Sequence, residues 1–105
     1  MANNVDKRVI AIAKKYVDKV SKDYNIDGAF LIGSCAEGMQ REESDIDIAI
    51  LLADIKNRFT ERVNLSRYSW DIDTRIEPHP IRTADYRNNQ SILASEILRT
   101  GIRIV

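Results

Sequence analysis

Ser44-Asp45-Ile46-Asp47-Ile48-Ala49-Ile50-Leu51-Leu52 is the stretch that decides how this 105-residue chain folds. β-Branched Ile46, Ile48 and Ile50 alternate with Asp45, Asp47 and Ala49, the period of two expected of a strand. The isoleucines then enter a core while Asp45 and Asp47 face one place. Two carboxylates held side by side repel, and burial sharpens the conflict. A divalent cation that favours oxygen ligands, such as Mg²⁺, resolves it. Taken alone, a solvated polar face on an edge strand explains the pair equally well.

Upstream, Asn25 to Gly28 carry turn chemistry and lead into Ala29-Phe30-Leu31-Ile32, a short apolar run that predicts a buried strand. That run ends in Gly33-Ser34. A strand that turns sharply there presents backbone N–H groups and a hydroxyl at one point, which suits a phosphate. On its own, Gly-Ser reads as a plain turn. Cys35 lacks a histidine nearby to act as its base, so it reads as a small packing residue. Met39 to Glu43 read as a loop, in which Arg41 is a solvated side chain. Before all this, 4–23 form an amphipathic helix with Val5, Val9, Ile12, Ala13, Tyr16 and Val20 on one face and Asn3 or Asn4 as its N-cap.

Downstream, 54–66 suggest a helix with Ile55, Phe59 and Val63 at spacings of four. Residues 68–79 alternate again and predict a strand. On it Trp70, Ile72, Thr74 and Ile76 line the core side, and Asp71, Asp73, Arg75 and Glu77 the polar side. Pro78 and Pro80 end it, with His79 between them as a structural residue. A helix over 91–100 with Ile92, Leu93, Ile97 and Leu98 as its apolar set, Gly101 beyond it, and a short strand over 102–105 complete the chain. The order predicts an α/β (α+β) fold, a small mixed β-sheet flanked by helices. Residues 1–105 read as one domain.

Composition narrows the function classes. Sixteen Lys and Arg balance sixteen Asp and Glu, which argues against binding to nucleic acid or a membrane through bulk charge. One cysteine cannot form an internal disulfide. No apolar run is long enough to span a bilayer, and no signal peptide is visible, so a cytoplasmic protein is expected.

Gly33-Ser34, ten intervening residues, Asp45-x-Asp47 on an apolar strand and then a third acidic segment form one specific string. It resembles the nucleotidyltransferase domain of the DNA polymerase β superfamily. More closely it is similar to the minimal nucleotidyltransferases of bacteria and archaea and to the nucleotide-binding half of kanamycin nucleotidyltransferase. The likeness runs from Ala29 to about Glu77. It implies a palm-like fold and a Mg²⁺-dependent enzyme that moves a nucleoside monophosphate, AMP from ATP, onto an acceptor hydroxyl. Gly33 and Ser34 would hold the β- and γ-phosphates, and Asp45 and Asp47 two Mg²⁺ ions. A carboxylate from the following strand would complete a metal site. Asp73 matches the family's Val-Asp-Leu pattern best, with Asp71 and Glu77 as alternatives on the same face. Larger members carry an acceptor-binding domain, so a partner chain is expected to supply that surface. The resemblance suggests a helical HEPN protein in a toxin–antitoxin pair, or else a homodimer. The alternative from another class is a non-catalytic partner-binding module with a degenerate nucleotidyltransferase fold.

Overall fold

The computed structural model describes residues 5–38 and 44–105. Helix α1 (Lys7–Ser21) is capped by the Asp6 carboxylate, which accepts from the Arg8 N–H. The expected caps Asn3 and Asn4 lie outside the described residues, as do Arg41 and the loop expected at 39–43. Val9, Ala13, Tyr16, Val17 and Val20 are buried, so the helical periodicity survives with Val17 added. α1 leads into β1 (Ile26–Ile32), the short helix α2 (Gly33–Ala36) and β2 (Ile46–Leu52). β1 starts earlier than expected, because the turn chemistry of 25–28 is taken up by a register irregularity between Ile26 and Gly28.

α3 (Arg58–Ser66) is shorter than the helix expected over 54–66, because Asn57 accepts from the Thr60 N–H and sets its first turn. Its anchor is Leu65 rather than the expected Phe59 and Val63. Leu65 is fully buried, whereas Phe59 is 76% exposed. The buried Tyr16 hydroxyl donates to the Leu65 carbonyl at 2.8 Å and ties α3 to α1.

The strand expected over 68–79 needs correction. A 3₁₀ turn (Arg67–Ser69) continues into further turns, with Ile72 and Asp73 N–H groups bonded to the Ser69 carbonyl. Trp70, expected in the core, is 69% exposed. Strand β3 runs over Ile76–Arg82 and includes both prolines. In the sheet order β3-β2-β1-β4, β3 is an edge. Pro78 and Pro80 are two residues apart, so both nitrogens face the unpaired side and no ladder bond is lost. A short helix α4 (Thr83–Arg87), unforeseen in the sequence, precedes α5 (Ile92–Thr100) and β4 (Ile102–Arg103). In α5 the buried residues are Ala94 and Ile97. Ile92 and Leu98, expected to pack, are exposed.

The sheet is mixed and covered on both sides, an α+β arrangement. β1 and β2 pair antiparallel, β2 and β3 parallel, β1 and β4 antiparallel. Ile46, Ile48 and Ile50 pack with α1 and Leu65 on one side. Phe30, Ile32, Ala49, Leu51 and Ile81 meet Ala94 and Ile97 on the other. Each fully buried isoleucine of β2 contributes about 1.5–3 kcal/mol, so this strand sets the register of the sheet. No helix of the described residues is long and apolar enough to cross a membrane.

Candidate active site

Register builds the site. Antiparallel pairing sets Ile32 opposite Asp47, so Gly33 and Ser34 emerge from β1 beside the aspartate. Parallel pairing sets Glu77 opposite the same Asp47. Side-chain alternation puts Asp47, Glu77 and His79 on the sheet face away from the β2 isoleucines. Ligand atoms of these three residues lie within 4.8 Å of one another. His79 Nε2 is 2.9 Å from Asp47 Oδ1, and Glu77 pairs with the Arg62 guanidinium of α3.

Gly33 is held at φ +74°, where a side chain is strained. A Cβ built there would stand 2.7 Å from Asp47 Oδ2. The glycine therefore lets the backbone turn hard against the carboxylate. Gly33→Ala should cost about 1–2 kcal/mol for the left-handed backbone and push Asp47 away from Glu77. Urea melts and divalent-cation titration check both effects. An alanine variant with wild-type stability and cation affinity would show that the close approach has no role.

Ser34 is half-buried, and its hydroxyl makes no hydrogen bond to any described residue. Asp45 precedes β2 and is exposed, and among the described residues it stands outside the three-residue cluster. Its carbonyl accepts from the Cys35 thiol at 3.3 Å. Burial, and next the Asp47 charge, push the Cys35 thiol up, which agrees with its reading as a packing residue. Asp73 is not on a strand. It lies in the turn before β3, accepting from the Arg75 N–H at 2.9 Å and from Arg75 Nη2 at 2.8 Å. Asp71 pairs with Lys19 of α1. Among the acidic residues expected on one face, Glu77 is the one set against Asp47.

The donor set fits a hard divalent cation. Asp47 and Glu77 offer carboxylate oxygens, and Mg²⁺ is commonly held by one or two carboxylates plus substrate phosphates and water. The hydrogen bond to Asp47 gives His79 the part of an orienting neighbour. From the sequence alone His79 reads as structural, and Arg58 and Arg62 have no role. The usable signal was the two-residue spacing of Glu77 and His79, once β3 is read as continuing through the prolines.

Two clefts meet at this end of the sheet. One of about 480 Å³ is lined by Gly33, Asp47, Arg58, His79, Ser91 and Leu93, among others. The other, about 260 Å³, is lined by Arg58, Phe59, Arg62, His79 and Pro80. Arg58 and His79 border both.

The family model for Polymerase beta, Nucleotidyltransferase matches residues 14–105. Among curated proteins no relative matches the chain. Solved structures similar to the chain include the following three. A candidate nucleotidyltransferase from Sulfolobus solfataricus aligns at TM-score 0.68 and 22% identity, over 91% of this chain and 78% of its own. A toxin–antitoxin complex with AMP-PNP aligns at TM-score 0.66 and 23% identity, over 88% of this chain and 72% of its own. A mutant form of the toxin–antitoxin MntA-HpeT aligns at TM-score 0.55 and 21% identity, over 99% of this chain and 73% of its own. At these identities the structural likenesses establish the fold alone.

Proposed function

The chain belongs to the polymerase β nucleotidyltransferase family, and from that premise we propose that residues 1–105 act as one nucleotidyltransferase domain that transfers AMP from ATP to an acceptor hydroxyl. The observation that carries this reading is the convergence of Gly33-Ser34, Asp47 and Glu77 at one end of the sheet, produced by two strand registers. Gly33 and Ser34 hold the β- and γ-phosphates. Asp45, Asp47 and Glu77 hold two Mg²⁺ ions, with Glu77 in the place that sequence had given to Asp73.

The roles follow from charge and position. Mg²⁺ held by Asp45, Asp47 and Glu77 would supply charge neutralisation for the phosphates and the leaving group. The acceptor oxygen forms a bond to the α-phosphorus, the bond from that phosphorus to the β-bridging oxygen breaks, and pyrophosphate leaves. Glu77 takes the hydroxyl proton. His79 keeps Asp47 in its rotamer, and Gly33 lets the phosphate-binding turn approach it. The chemistry then rests on positioning and fixed charge, with no covalent work for Cys35.

The acceptor belongs to a partner protein in this reading, with the chain acting as the antitoxin of a toxin–antitoxin pair in the cytoplasm and the partner a helical HEPN-type protein. Two of the similar structures are toxin–antitoxin complexes, and Phe59, Val63 and Trp70 are apolar side chains at the surface for a partner to cover. A non-catalytic partner-binding module is the second reading, favoured by the same surface. A homodimer is the other arrangement that would complete the acceptor side.

Label transfer separates them. The chain is co-purified with its neighbours from the native host and incubated with ATP labelled at the α-phosphorus and Mg²⁺. A nucleotide-sized adduct on a co-purified protein, together with pyrophosphate release, is the expected outcome. Stable capture of that protein with no adduct and no pyrophosphate would favour the binding module.

A further inference from the structure

We infer that Arg62 is the resident counter-ion of Glu77, surrendered to a divalent cation on binding and then turned toward the nucleotide's phosphates. The inference rests on the nucleotidyltransferase reading of the site. Glu77 is one of three ligand-bearing residues gathered within 4.8 Å, and its ion-pair partner is the Arg62 guanidinium. A cation that takes Glu77 as a ligand repels that guanidinium and competes with it for the carboxylate. Arginine cannot lose its proton at any working pH, so it can only move.

The geometry allows the move. Arg62 and Glu77 side chains are 47% and 35% exposed, and ion pairs of that exposure are weak and readily exchanged. Arg62 lies one helical turn after Arg58, and the two line the smaller cleft together with His79. Arg58 also borders the larger cleft, beside Gly33 and Asp47. Once released, the Arg62 head is on the side of the site where Arg58 already stands. A planar guanidinium there matches phosphate oxygens two at a time. One side chain then serves two anions in succession.

Opposite signs make the test. Arg62→Ala should bind Mn²⁺ alone about two- to fivefold more tightly, since the competing charge is gone. It should bind ATP in the presence of Mg²⁺ about tenfold more weakly, since a charge-assisted phosphate contact is lost. Arg62→Lys keeps the charge without the fork, so its Mn²⁺ affinity should stay near wild type and its ATP affinity fall between the two. Electron paramagnetic resonance reads free Mn²⁺, calorimetry reads ATP, and thermal melts verify that each variant is folded.

Controls separate this inference from the reading beneath it. If wild-type Mn²⁺ binding is absent, or survives in both Asp47→Asn and Glu77→Gln, the metal site itself is refuted. If Mn²⁺ binding depends on those carboxylates but Arg62→Ala shifts neither affinity, or shifts both in one direction, Arg62 is a surface ion pair and the inference is overturned.

Discussion

Glu77→Gln should lower nucleotidyl transfer by about three orders of magnitude, while Asp73→Asn leaves it nearly unchanged. Glutamine keeps the shape of Glu77 but removes the charge that faces Asp47 across the β2–β3 ladder. Loss of one metal-holding carboxylate removes several kcal/mol of charge stabilisation in the transition state, and about 4 kcal/mol corresponds to a factor of about a thousand. The structural cost is small, because Arg62 and Glu77 form a half-exposed pair worth about 0–1 kcal/mol.

Asp73 behaves in the opposite way. Its carboxylate accepts from the Arg75 N–H and from the guanidinium, and the Arg75 hydrogen bond holds its carboxyl below the usual aspartate range. A carboxyl whose folded value is depressed stabilises the fold above its unfolded value, about 3.9 for aspartate, and the benefit disappears as the pH falls through the folded value. Asp73→Asn should therefore cost about 1–2 kcal/mol near neutral pH and nothing at strongly acid pH, where the wild type has lost the same contribution. Steady-state transfer assays and melts from neutral to acid pH test both halves. An inactive Asp73→Asn beside an active Glu77→Gln would return the third carboxylate to the turn.

The difference between Glu77 and Asp73 shows where the sequence is legible and where it is not. Period-two alternation at 46–52 needs no partner to be read, and Ile46, Ile48 and Ile50 are fully buried as it requires. The same alternation at 68–76 is misleading. Polar and apolar residues also alternate through the turns that follow α3, and an Asp two residues before Arg75 closes such a turn by local hydrogen bonds. The prolines then compounded the error. Proline excludes a central strand but permits an edge strand when its nitrogen faces outward, and edge position is a property of the whole sheet.

Helices show the same limit. Spacings of four make Phe59 and Val63 look like core residues, yet it is Leu65 that joins Tyr16 and the β2 isoleucines in the core. An apolar stripe turned outward cannot be told from one turned inward by periodicity alone. The Gly33–Asp47 approach was half legible. Gly-Ser after an apolar run signalled a tight turn, but its closeness to Asp47 comes from antiparallel register, which pairs positions fifteen apart in the chain.

Asp47→Asn gives the sharpest separation of catalytic from structural roles, because stability and ligand response should part. Without ligand, two carboxylates face each other across β2 and β3, Glu77 paired with Arg62 and Asp47 hydrogen-bonded to His79, and like charges so placed repel. Asparagine removes one charge and can still accept from His79 through its amide oxygen. Stability of the ligand-free variant should therefore equal or slightly exceed that of the wild type. With Mg²⁺ and ATP at about a hundred times the dissociation constant, the wild type gains about 2.7 kcal/mol, a rise in Tm on the order of 10 °C for a domain of this size. The variant should lose most of that gain, since ligand stabilisation follows affinity for the native state and the affinity depends on the missing charge. A surface aspartate with no ligand role would give the reverse pattern, a change of about 0–1 kcal/mol without ligand and an intact response to it. Thermal melts of both proteins, with and without Mg²⁺ and ATP, decide between them. An asparagine variant that keeps the full ligand-induced shift would remove Asp47 from the metal site, and with it the convergence on which the transferase reading stands.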